Sequence, residues 1–418
     1  MPNISSQSSW QDVKLSHYPK LQHAIEADVV IVGGGLTGIV SAYVLAKTGK
    51  RVVLLEAETL GYNASSLTTA FITQAIDTDL SELVSLFGPK KARLIWESGQ
   101  AAIGQIEKII REEKINCNFM RCSVYEYATA EKDFEYLEEE SQTAQKLGFK
   151  TTLGHDYLGI RHEGYLELPN QAKFHPLKFL NGVAQASVKR GTQIYEHSKV
   201  ERIIRNNRSL TVKTDQGEVL ARDVIIATYN PFETKGTRFK KGMYVSYVLE
   251  AKIQAGIIQE GLYWDQENPY HYLRLDRMKG FDRVIFGGED HRAELKMSKA
   301  KNFRALEKHF KQLIGTTPYE ITRKWTGPIL EPVDGVALIG PIQNHLYVAT
   351  GFSGNGMTYS NIAARIFTDA ITGRKNEWHA VYNPRRVITG KQLVSKGRDY
   401  IEEFFGGAAK NIFQKGQG

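Results

Sequence analysis

The stretch over residues 27–56 constrains the fold of this chain more than any other. A short apolar run at 29–32 leads into the sequence GGGLTG, and apolar residues at helical spacing follow it. The helical pattern stops at Gly49, and a second apolar run at 52–55 ends in Glu56. A strand, a glycine turn, a helix and a second strand in this order predict a dinucleotide-binding βαβ unit.

Each part of this unit has a physical task. In the pattern G-x-G-x-x-G, Gly33 permits the tight turn, Gly35 lets the backbone approach a pyrophosphate, and Gly38 lets helix and strand pack closely. The phosphates would lie at the helix N-terminus, where free N–H groups favour negative charge. The predicted cofactor contacts in this unit are Val32, Gly33, Gly35, Leu36, Thr37, Gly38, Glu56 and Ala57.

The acid at the end of the second strand indicates which dinucleotide is bound. Glu56 is placed to accept hydrogen bonds from ribose hydroxyls, and Ala57 and Glu58 follow it with no basic residue for a 2′-phosphate. FAD or NAD is therefore favoured over NADP. A glycine-rich turn without a ligand is the alternative, but such a turn would not need all the parts of the unit.

Length and composition indicate the class of protein. A chain of 418 residues exceeds one ordinary core, so about two domains are expected. With 42% apolar and 24% charged residues and no long apolar run, no transmembrane segment is expected. Two cysteines and the absence of an apolar signal core at the N-terminus favour the cytoplasm. The net charge of +8 is dispersed, which favours a solvated surface over nucleic acid binding.

Three further stretches are candidates for cofactor contact. A loop at 60–70 is rich in small and hydroxylic residues, and the run DVIIAT at 223–228 has the pattern of a buried strand returning to the nucleotide-binding sheet. A strand at 346–350 runs into GFSGNG and a helix at 357–372, whose N-terminal N–H groups would face a ligand. The predicted contacts are Ser65, Ser66, Thr68, Thr69, Ala70, Val200, Ala227, Thr228, Gly340, Gly351, Phe352, Ser353, Gly354, Asn355, Gly356 and Met357.

The middle of the chain has a different pattern. Residues 243–289 alternate apolar and polar side chains, which indicates antiparallel strands with one open face. We interpret this stretch as a substrate domain. Before it, residues 79–114 predict one long helix, residues 123–129 a strand and residues 131–147 a charged amphipathic helix.

Together these pieces resemble the D-amino-acid oxidase-like FAD oxidoreductases, the group that holds glycine and sarcosine oxidases. The similarity rests on GGGLTG with Glu56, SSLTTA, DVIIAT, the stretch 334–341 and GFSGNGMTYS, in this order. Within the group the chain looks closest to flavoproteins that often carry a C-terminal Rieske domain, as suggested by NQAKFHPLKFL, YHYLR and GGEDH.

The resemblance implies an α/β fold: a Rossmann-like FAD-binding domain with a central parallel sheet, interleaved with an antiparallel-sheet substrate domain. We expect the FAD-binding domain at 24–85, 155–235 and 326–384, and the substrate domain with its helices at 86–154 and 236–325. A basic tail at 385–418, with an apolar line along it, would pack on the FAD domain or lie on an anionic membrane or a partner.

Two departures from the family pattern concern the cysteines. A Rieske cluster needs C-x-H and C-x-x-H, and neither Cys117 nor Cys122 is followed by such a histidine. Covalent flavin attachment through cysteine, which occurs in some sarcosine-oxidase relatives, finds no cysteine near the C-terminal glycine motif. We therefore expect FAD to be held non-covalently. No metal-ligand spacing predicts a metal site.

The resemblance also implies the chemistry: hydride passes from a carbon next to an amine to flavin N5. The substrate would be a small molecule, an amino acid or another amine, and the electron acceptor is O2 or a redox partner. Candidates for contact with the substrate are Tyr272, Arg274, His271 and Arg323. Arg274 could instead pair with Asp276, and His271 could be structural. Tyr263, Trp264 and Trp325 could wall the flavin or fill the core.

Two other functions are open at this stage. The protein could be a flavin electron-transfer component that serves a separate iron–sulfur or membrane partner. It could also be a non-enzymatic binding protein on a retained FAD fold.

Overall fold

The computed structural model describes residues 4–206, 209–231, 241–295 and 297–389. The greater part of the predicted basic tail, from residue 390 onward, lies outside the described residues. Within the described tail, Arg386 donates two hydrogen bonds of 2.7 Å to the carboxylate of Asp334, so this arginine packs back on the body of the protein.

The regular elements follow one another as alternating strands and helices. In chain order the strands are β1 (Ala24–Val32), β2 (Val52–Leu55), β3 (Phe71–Ile72), β4 (Met120–Ala128), β5 (Thr152–Gly154), β6 (Gly164–Lys173), β7 (Gln193–Tyr195), β8 (Val200–Arg205), β9 (Leu210–Thr214), β10 (Glu218–Ile226), β11 (Lys241–Ile253), β12 (Leu262–Asp265), β13 (Tyr272–Arg277), β14 (Asp282–Arg292), β15 (Tyr319–Pro332), β16 (Leu338–Gln343) and β17 (Leu346–Thr350). The helices are α1 (Leu36–Ala46), α2 (Ala64–Leu67), α3 (Leu80–Phe87), α4 (Pro89–Glu113), α5 (Glu131–Lys146), α6 (Pro176–Val188), α7 (Lys299–Ile314), α8 (Gly356–Ile371) and α9 (His379–Tyr382), with a short 3₁₀ turn at Ser9–Asp12.

The first sheet has the strand order β16-β17-β10-β1-β2-β7, with the hairpin β8–β9 joined to β10. The pairs β17–β10, β10–β1, β1–β2 and β2–β7 are parallel. Val29 and Ile31 of β1 pack with helices α1 and α8, whereas Val30 and Val32 pack with β9 and β17 on the other face. Both faces are buried, which explains the continuous apolar runs in the sequence.

The order of the strands reverses between β1 and β10, because the chain leaves β1 towards β2 and returns later on its other side. In an open parallel sheet such a switch point leaves a crevice at the carboxyl ends of the strands, where ligands bind. The carboxyl ends of β1, β2, β10 and β17 therefore meet at one edge of this sheet.

The second sheet has the order β15-β11-β14-β13-β12-β4-β6-β3, with β5 on β6. Its pairs are antiparallel except β12–β4. Helix α7 packs against β11 and β14. The predicted α/β class, with one parallel and one antiparallel sheet, is confirmed.

Two features differ from the sequence expectations. The helix predicted over 79–114 is two helices, because Gly88 adopts a φ of +79° at the end of α3 and Pro89 begins α4. Strand β6 and the short β3 belong to the second sheet, although the predicted boundaries assign both to the FAD-binding domain. Pro169 and Asn170, with a φ of +61° at Asn170, interrupt the alternation that would have marked β6 as an antiparallel strand.

Strands β1 and β10 begin earlier than the predicted runs at 29–32 and 223–228, at Ala24 and Glu218, whereas the helices predicted at 131–147 and 357–372 agree with α5 and α8 within one residue at each end. None of the helices in the described part of the chain is long and apolar enough to span a membrane.

Candidate functional site

A cavity of about 820 Å³ lies between the two sheets. One side of it is the crevice at the carboxyl ends of the parallel strands, lined by Val32, Glu56, Ala227 and Thr350. The other side is the face of the second sheet that carries Tyr272. One continuous cavity therefore joins the crevice of the parallel sheet to a chamber walled by side chains.

Two glycines of the first turn make the close backbone contacts that their predicted tasks require. A Cβ on Gly33, which has a φ of +113°, would lie 2.5 Å from the carbonyl oxygen of Ala227. A Cβ on Gly38 would lie 1.9 Å from the carbonyl oxygen of Gly33, so α1 packs directly on the turn. Gly35 lines the cavity, and its missing Cβ leaves the backbone open to a phosphate. This cradle fits the pyrophosphate of a dinucleotide.

The carboxylate at the end of β2 lies at the far end of the crevice. Glu56 Oε2 accepts a hydrogen bond from the backbone N–H of Gly34 at 2.5 Å, and Oε1 accepts one from Glu58 at 2.8 Å. Ala57, Lys199 and Val200 also line this end. Backbone N–H groups therefore fix the carboxylate at this end of the crevice, and its contact with a ribose stays a prediction.

The loop at 65–70, which we call the cofactor loop, is held from outside by side chains. Ser8 Oγ donates to the carbonyl of Ser66 at 2.5 Å, and Trp325 Nε1 donates to that of Leu67 at 3.0 Å. Trp10 Nε1 donates to the carbonyl of Thr68 at 2.6 Å. Arg274 Nη1 donates to the carbonyls of Thr69 and Ala70 at 3.0 and 3.1 Å.

Carbonyls of consecutive residues 66–70 thus all have side-chain donors. The loop is fixed by its carbonyl groups, while Ser65, Thr68 and Thr69 line the cavity. We call Ser8, Trp10, Arg274 and Trp325 the carbonyl anchors. They come from the N-terminal segment and from two strands of the second sheet, so the second sheet positions a loop of the cofactor crevice.

Arg274 is buried in an ion network rather than in the cavity. Its Nε donates to Asp276 at 3.0 Å, and its guanidinium lies 4.8 Å from the centre of the Trp10 ring. Arg283 Nη2 also donates to Asp276, at 2.7 Å. Burial alone would raise the pKa of Asp276, but Arg274 and Arg283 hold it well below its usual range. The pairing with Asp276 that the sequence left open is present.

The C-terminal glycine turn also faces the cavity. Residues 351–357, which include the start of α8, all line it. The backbone N–H of Gly354 donates to Asp77 Oδ2 at 2.9 Å, and Asn355 Nδ2 donates to Asp77 Oδ1 at 2.5 Å. An acid of this chain therefore engages Gly354 and Asn355, two of the predicted cofactor contacts.

Most predicted cofactor contacts line the cavity. The exceptions are Gly38, Ser66, Ala70 and Gly340. Gly38 packs on Gly33, and Ser66 Oγ donates to carbonyl oxygens of Tyr62 and Asn63. Ala70 is a fully buried residue of the cofactor loop, held through its carbonyl. Gly340 lies in β16, where a Cβ would face Pro384 and His379 instead.

Of the four predicted substrate contacts, the structure brings one into the cavity wall. Tyr272 lines the cavity, and its hydroxyl is 2.8 Å from Ser246 Oγ. Arg323 lies elsewhere, because its Nη2 donates to Asp12 at 2.7 Å. Since Arg274 and Arg323 are both engaged by carboxylates away from the cavity, neither is placed to bind a substrate carboxylate.

His271 lies behind the cavity wall. Its Nδ1 is 3.0 Å from Asp265 Oδ2, its ring stacks on His309 at 4.3 Å, and its Nε2 has no hydrogen-bond partner. Burial lowers its pKa, but Asp265 and the nearby Glu267 and Glu289 outweigh burial, and the net shift is upward. This network accounts for His271 as a structural residue.

The same network contains a candidate metal-ligand group among the described residues. Ligand atoms of Glu267, His271 and His309 lie within 4.8 Å of one another. The sequence shows no metal-ligand spacing, because these residues come from a loop, a strand end and helix α7. Asp265 already engages Nδ1 of His271 in this group.

The second sheet contributes a row of residues in register across its strands. Leu166 pairs with Glu126, Glu126 with Trp264, and Trp264 with Tyr272. Because directly paired residues share a face of a sheet, this row forms one wall, and all of its members line the cavity. Gly287 pairs with Tyr272, and a Cβ on it would lie 2.2 Å from the Tyr272 ring.

Sequence reasoning identified Tyr272 but missed several residues on this side of the cavity. Trp264 was considered, but Glu126, Leu166, Tyr270 and Ser246 were not. A single acid in the strand MRCSVYEYA was the available signal, since its neighbours 124–128 are otherwise apolar or aromatic. The register that joins strands far apart in the chain could not be read from one sequence.

The sequence profile of the family described as FAD dependent oxidoreductase, DAO, matches residues 28–370. The match covers most of the chain, and the chain therefore belongs to the FAD dependent oxidoreductase family. FAD is the cofactor of this family, and the glycine cradle fits it. The prediction of the family and of FAD is confirmed.

Among individual proteins, the chain is 31% identical over 380 residues to the putative Rieske 2Fe-2S iron-sulfur protein YhfW of Bacillus subtilis (strain 168), covering 89% of this chain and 74% of that protein. It is 26% identical over 397 residues to the gamma-glutamylputrescine oxidoreductase of Escherichia coli (strain K12), covering 88% and 89%.

Among solved structures, glycine oxidase from Geobacillus kaustophilus superposes with a TM-score of 0.75 at 19% identity, covering 87% of this chain and 100% of that chain. This likeness shows the fold. Taken together with the family, it makes the chain an FAD-dependent oxidoreductase of the amino-acid or amine oxidase type.

Proposed function

We propose that the protein oxidises a small amine by transfer of hydride from the carbon next to nitrogen to FAD. The observation that carries this proposal is the single cavity that joins the glycine cradle to the wall formed by Tyr272, Trp264 and Glu126. When bound, FAD supplies an acceptor for two electrons at N5. On the substrate, the C–H bond breaks and the nitrogen lone pair forms a C=N bond.

The residues of this chain contribute positioning and electrostatics. The carbonyl anchors hold the cofactor loop, so that its exposed groups keep a fixed position at the cavity. Tyr272, held by Ser246, and the aromatic residues Phe71 and Trp264 wall the chamber and exclude water. Positive charge develops on the substrate nitrogen as hydride leaves, and carboxylates on the cavity wall lower its energy.

An amine is favoured over an amino acid as the substrate. An amino acid needs a cation for its carboxylate, ideally arginine. Among the described residues that line the cavity, the cation is Lys199, which lies beside Val200 at the nucleotide end. Six acids line the same cavity away from that end, namely Asp77, Asp79, Glu126, Glu140, Asp265 and Glu267.

We further propose that FAD is held without a bond to cysteine, since neither Cys117 nor Cys122 lines the cavity. The electron acceptor, O2 or a redox partner, and a cytoplasmic location remain expectations from the sequence within this proposal.

The test is the visible spectrum of the FAD-loaded protein, followed without oxygen as amines and amino acids are added. Bleaching of the flavin bands by an amine is expected. If no amine or amino acid bleaches them, the proposal is wrong, and a protein that binds FAD without this chemistry is indicated. If an amine does bleach the bands, air is then readmitted. An oxidase regains its flavin bands in air, whereas an enzyme that needs another acceptor does not.

A further inference from the structure

Glu126 differs from Glu140 and Asp265, the other buried acids that line the cavity, in the partners that surround it. It lies in β4, in the middle of the row that also contains Leu166 and Trp264, and 6% of its surface is exposed. A buried carboxylate is costly unless it is paired and hydrogen-bonded. The groups that surround Glu126 therefore indicate its role.

The other acids on this side of the cavity have partners in the protein. Glu140 accepts hydrogen bonds from the backbone N–H groups of Leu80 and Ser81 at the start of α3. Tyr136 donates to Asp79, and Asp265 binds His271. Glu267 lies 3.8 Å from Nδ1 of His309.

Glu126 receives a hydrogen bond from the uncharged amide of Gln266, and it forms no ion pair with any residue in the described part of the chain. Burial raises the pKa of Glu126 well above its usual range and the nearby acids Asp79 and Glu140 raise it further, whereas hydrogen bonding from the side chains of Trp264 and Gln266 offsets part of this shift. The charged groups near Glu126 are thus negative. A cation in the cavity beside it would offset both the cost of burying the carboxylate and its repulsion by Asp79 and Glu140.

We propose that Glu126 forms a subsite for a second cationic group of the substrate, so that the substrate class is an amine that carries another ammonium group. This inference rests on the proposed function. It deepens that function by assigning the two ends of the substrate to different parts of one wall.

The wall suits an alkyl chain that ends in an ammonium group. Trp264, between Tyr272 and Glu126 in the row, offers an indole face, and Leu166 offers an apolar contact on the other side. Adjacent strands are about 4.8 Å apart, so Glu126 lies roughly 10 Å across the sheet from Tyr272. The subsite therefore selects for a second charge at a distance from the reacting nitrogen.

The experiment compares two probes that differ in one end group. Cadaverine has ammonium groups at both ends, and n-hexylamine replaces one of them by a methyl group. Binding of each to the full FAD-loaded chain is measured by calorimetry without oxygen. Cadaverine should bind at least about 10-fold more tightly, because a charge-assisted contact to a buried carboxylate is worth about that much or more.

Three variants locate the effect. Glu126→Gln should weaken cadaverine binding by about 10- to 100-fold and leave n-hexylamine binding unchanged, and Glu126→Asp should retain part of the preference. Glu167→Gln is the matched control. Glu167 is the next residue along β6 from Leu166, it accepts a hydrogen bond from Ser123, and it does not line the cavity. Its removal should change neither affinity.

Equal binding of the two probes to the unaltered protein, or binding of neither, overturns the inference even if the variants fail to fold. An equal loss of both probes in Glu126→Gln also overturns it, because Glu126 would then be structural.

The inference and the proposed function can fail independently of each other. If an amine bleaches the flavin but cadaverine is not preferred, the subsite is wrong and the function stands. If cadaverine binds through Glu126 but no amine bleaches the flavin, the function is wrong.

Discussion

The two ends of the cavity differ in what lines them, which is mainly backbone at one end and side chains at the other. The nucleotide end is made of backbone: glycines at the turn after β1 and a loop whose carbonyls are held from behind. The other end, which we propose as the substrate end, is made of side chains in register across β6, β4, β12 and β13. A backbone site depends on a few residues that are close in sequence, whereas a side-chain wall depends on the pairing of strands that are far apart.

The largest effect is expected from a substitution at the nucleotide end, which is made of backbone. In Gly38→Val the new Cβ would lie 1.9 Å from the carbonyl oxygen of Gly33, which is backbone and cannot move without disturbing the turn. We expect a destabilisation of about 3 kcal/mol or more and a protein that is purified without FAD. The measurements are the flavin content and the free energy of unfolding.

Gly104→Ala in α4 is the control for Gly38→Val, since a Cβ there meets nothing within 4 Å. It should retain FAD and gain about 0.5–1 kcal/mol of stability from helix propensity. Full flavin content in Gly38→Val would show that close packing of α1 on the turn does not define the cradle.

The second prediction separates two arginines that the sequence could not distinguish. Arg274→Met removes two hydrogen bonds to the cofactor loop and leaves Asp276 with fewer buried partners. We expect a loss of about 3 kcal/mol in stability and weaker FAD binding. Arg323→Met removes a contact to the exposed Asp12 and an ion pair of 3.6 Å with the buried Glu250, so it should also lower stability but leave FAD affinity unchanged. Equal FAD affinities in the two variants would contradict the role of Arg274 as an anchor.

The third prediction affects the side-chain end alone. In Gly287→Ala the new Cβ would lie 2.2 Å from the Tyr272 ring, which must move. FAD binding should persist, whereas the rate of flavin reduction by an amine substrate should fall by about 10-fold, because reacting groups tolerate little misplacement. Tyr272→Phe keeps the ring and loses the bond to Ser246, so it should retain more activity. A Gly287→Ala protein with an unaltered reduction rate would place Tyr272 outside the reaction chamber.

The same contrast explains what the sequence could predict. The turn with Gly33, Gly35 and Gly38 and the acid Glu56 lie within one βαβ unit, and their spacing carries the physical requirements of a dinucleotide. Strand alternation identified most of the second sheet. The role of Arg274 could not be predicted, because it depends on contacts with Trp10 and the cofactor loop, more than two hundred residues away in the chain.

Glu126 was equally out of reach of the sequence. An acid in a strand is usually solvated, and its burial follows from the pairing of β4 with both β6 and β12, one antiparallel and one parallel. The boundary between α3 and α4 at Gly88 and Pro89 could have been predicted, because glycine followed by proline commonly ends one helix and begins the next. The apolar periodicity on both sides concealed it.

The smallest expected effect is the change in the free energy of unfolding that the buried carboxylate of Glu126 causes. The folded-state pKa of Glu126 is raised by burial and by Asp79 and Glu140, whereas the unfolded value is near 4.3. Between these two values the folded state holds a proton that the unfolded state lacks, so stability falls as pH rises through this window. Above the folded pKa the full penalty of an ionised buried carboxylate is present.

Glu126→Gln should therefore be more stable than the unaltered protein at neutral pH, by about 1 kcal/mol, and should lose the part of the pH dependence that belongs to this window. The measurement is the free energy of unfolding as a function of pH for both proteins, with Glu167→Gln as the control. Saturating cadaverine should stabilise the unaltered protein more than the Glu126→Gln variant. If the variant is less stable at neutral pH, Glu126 holds the wall together through Gln266, and its burial then reflects structure instead of substrate binding.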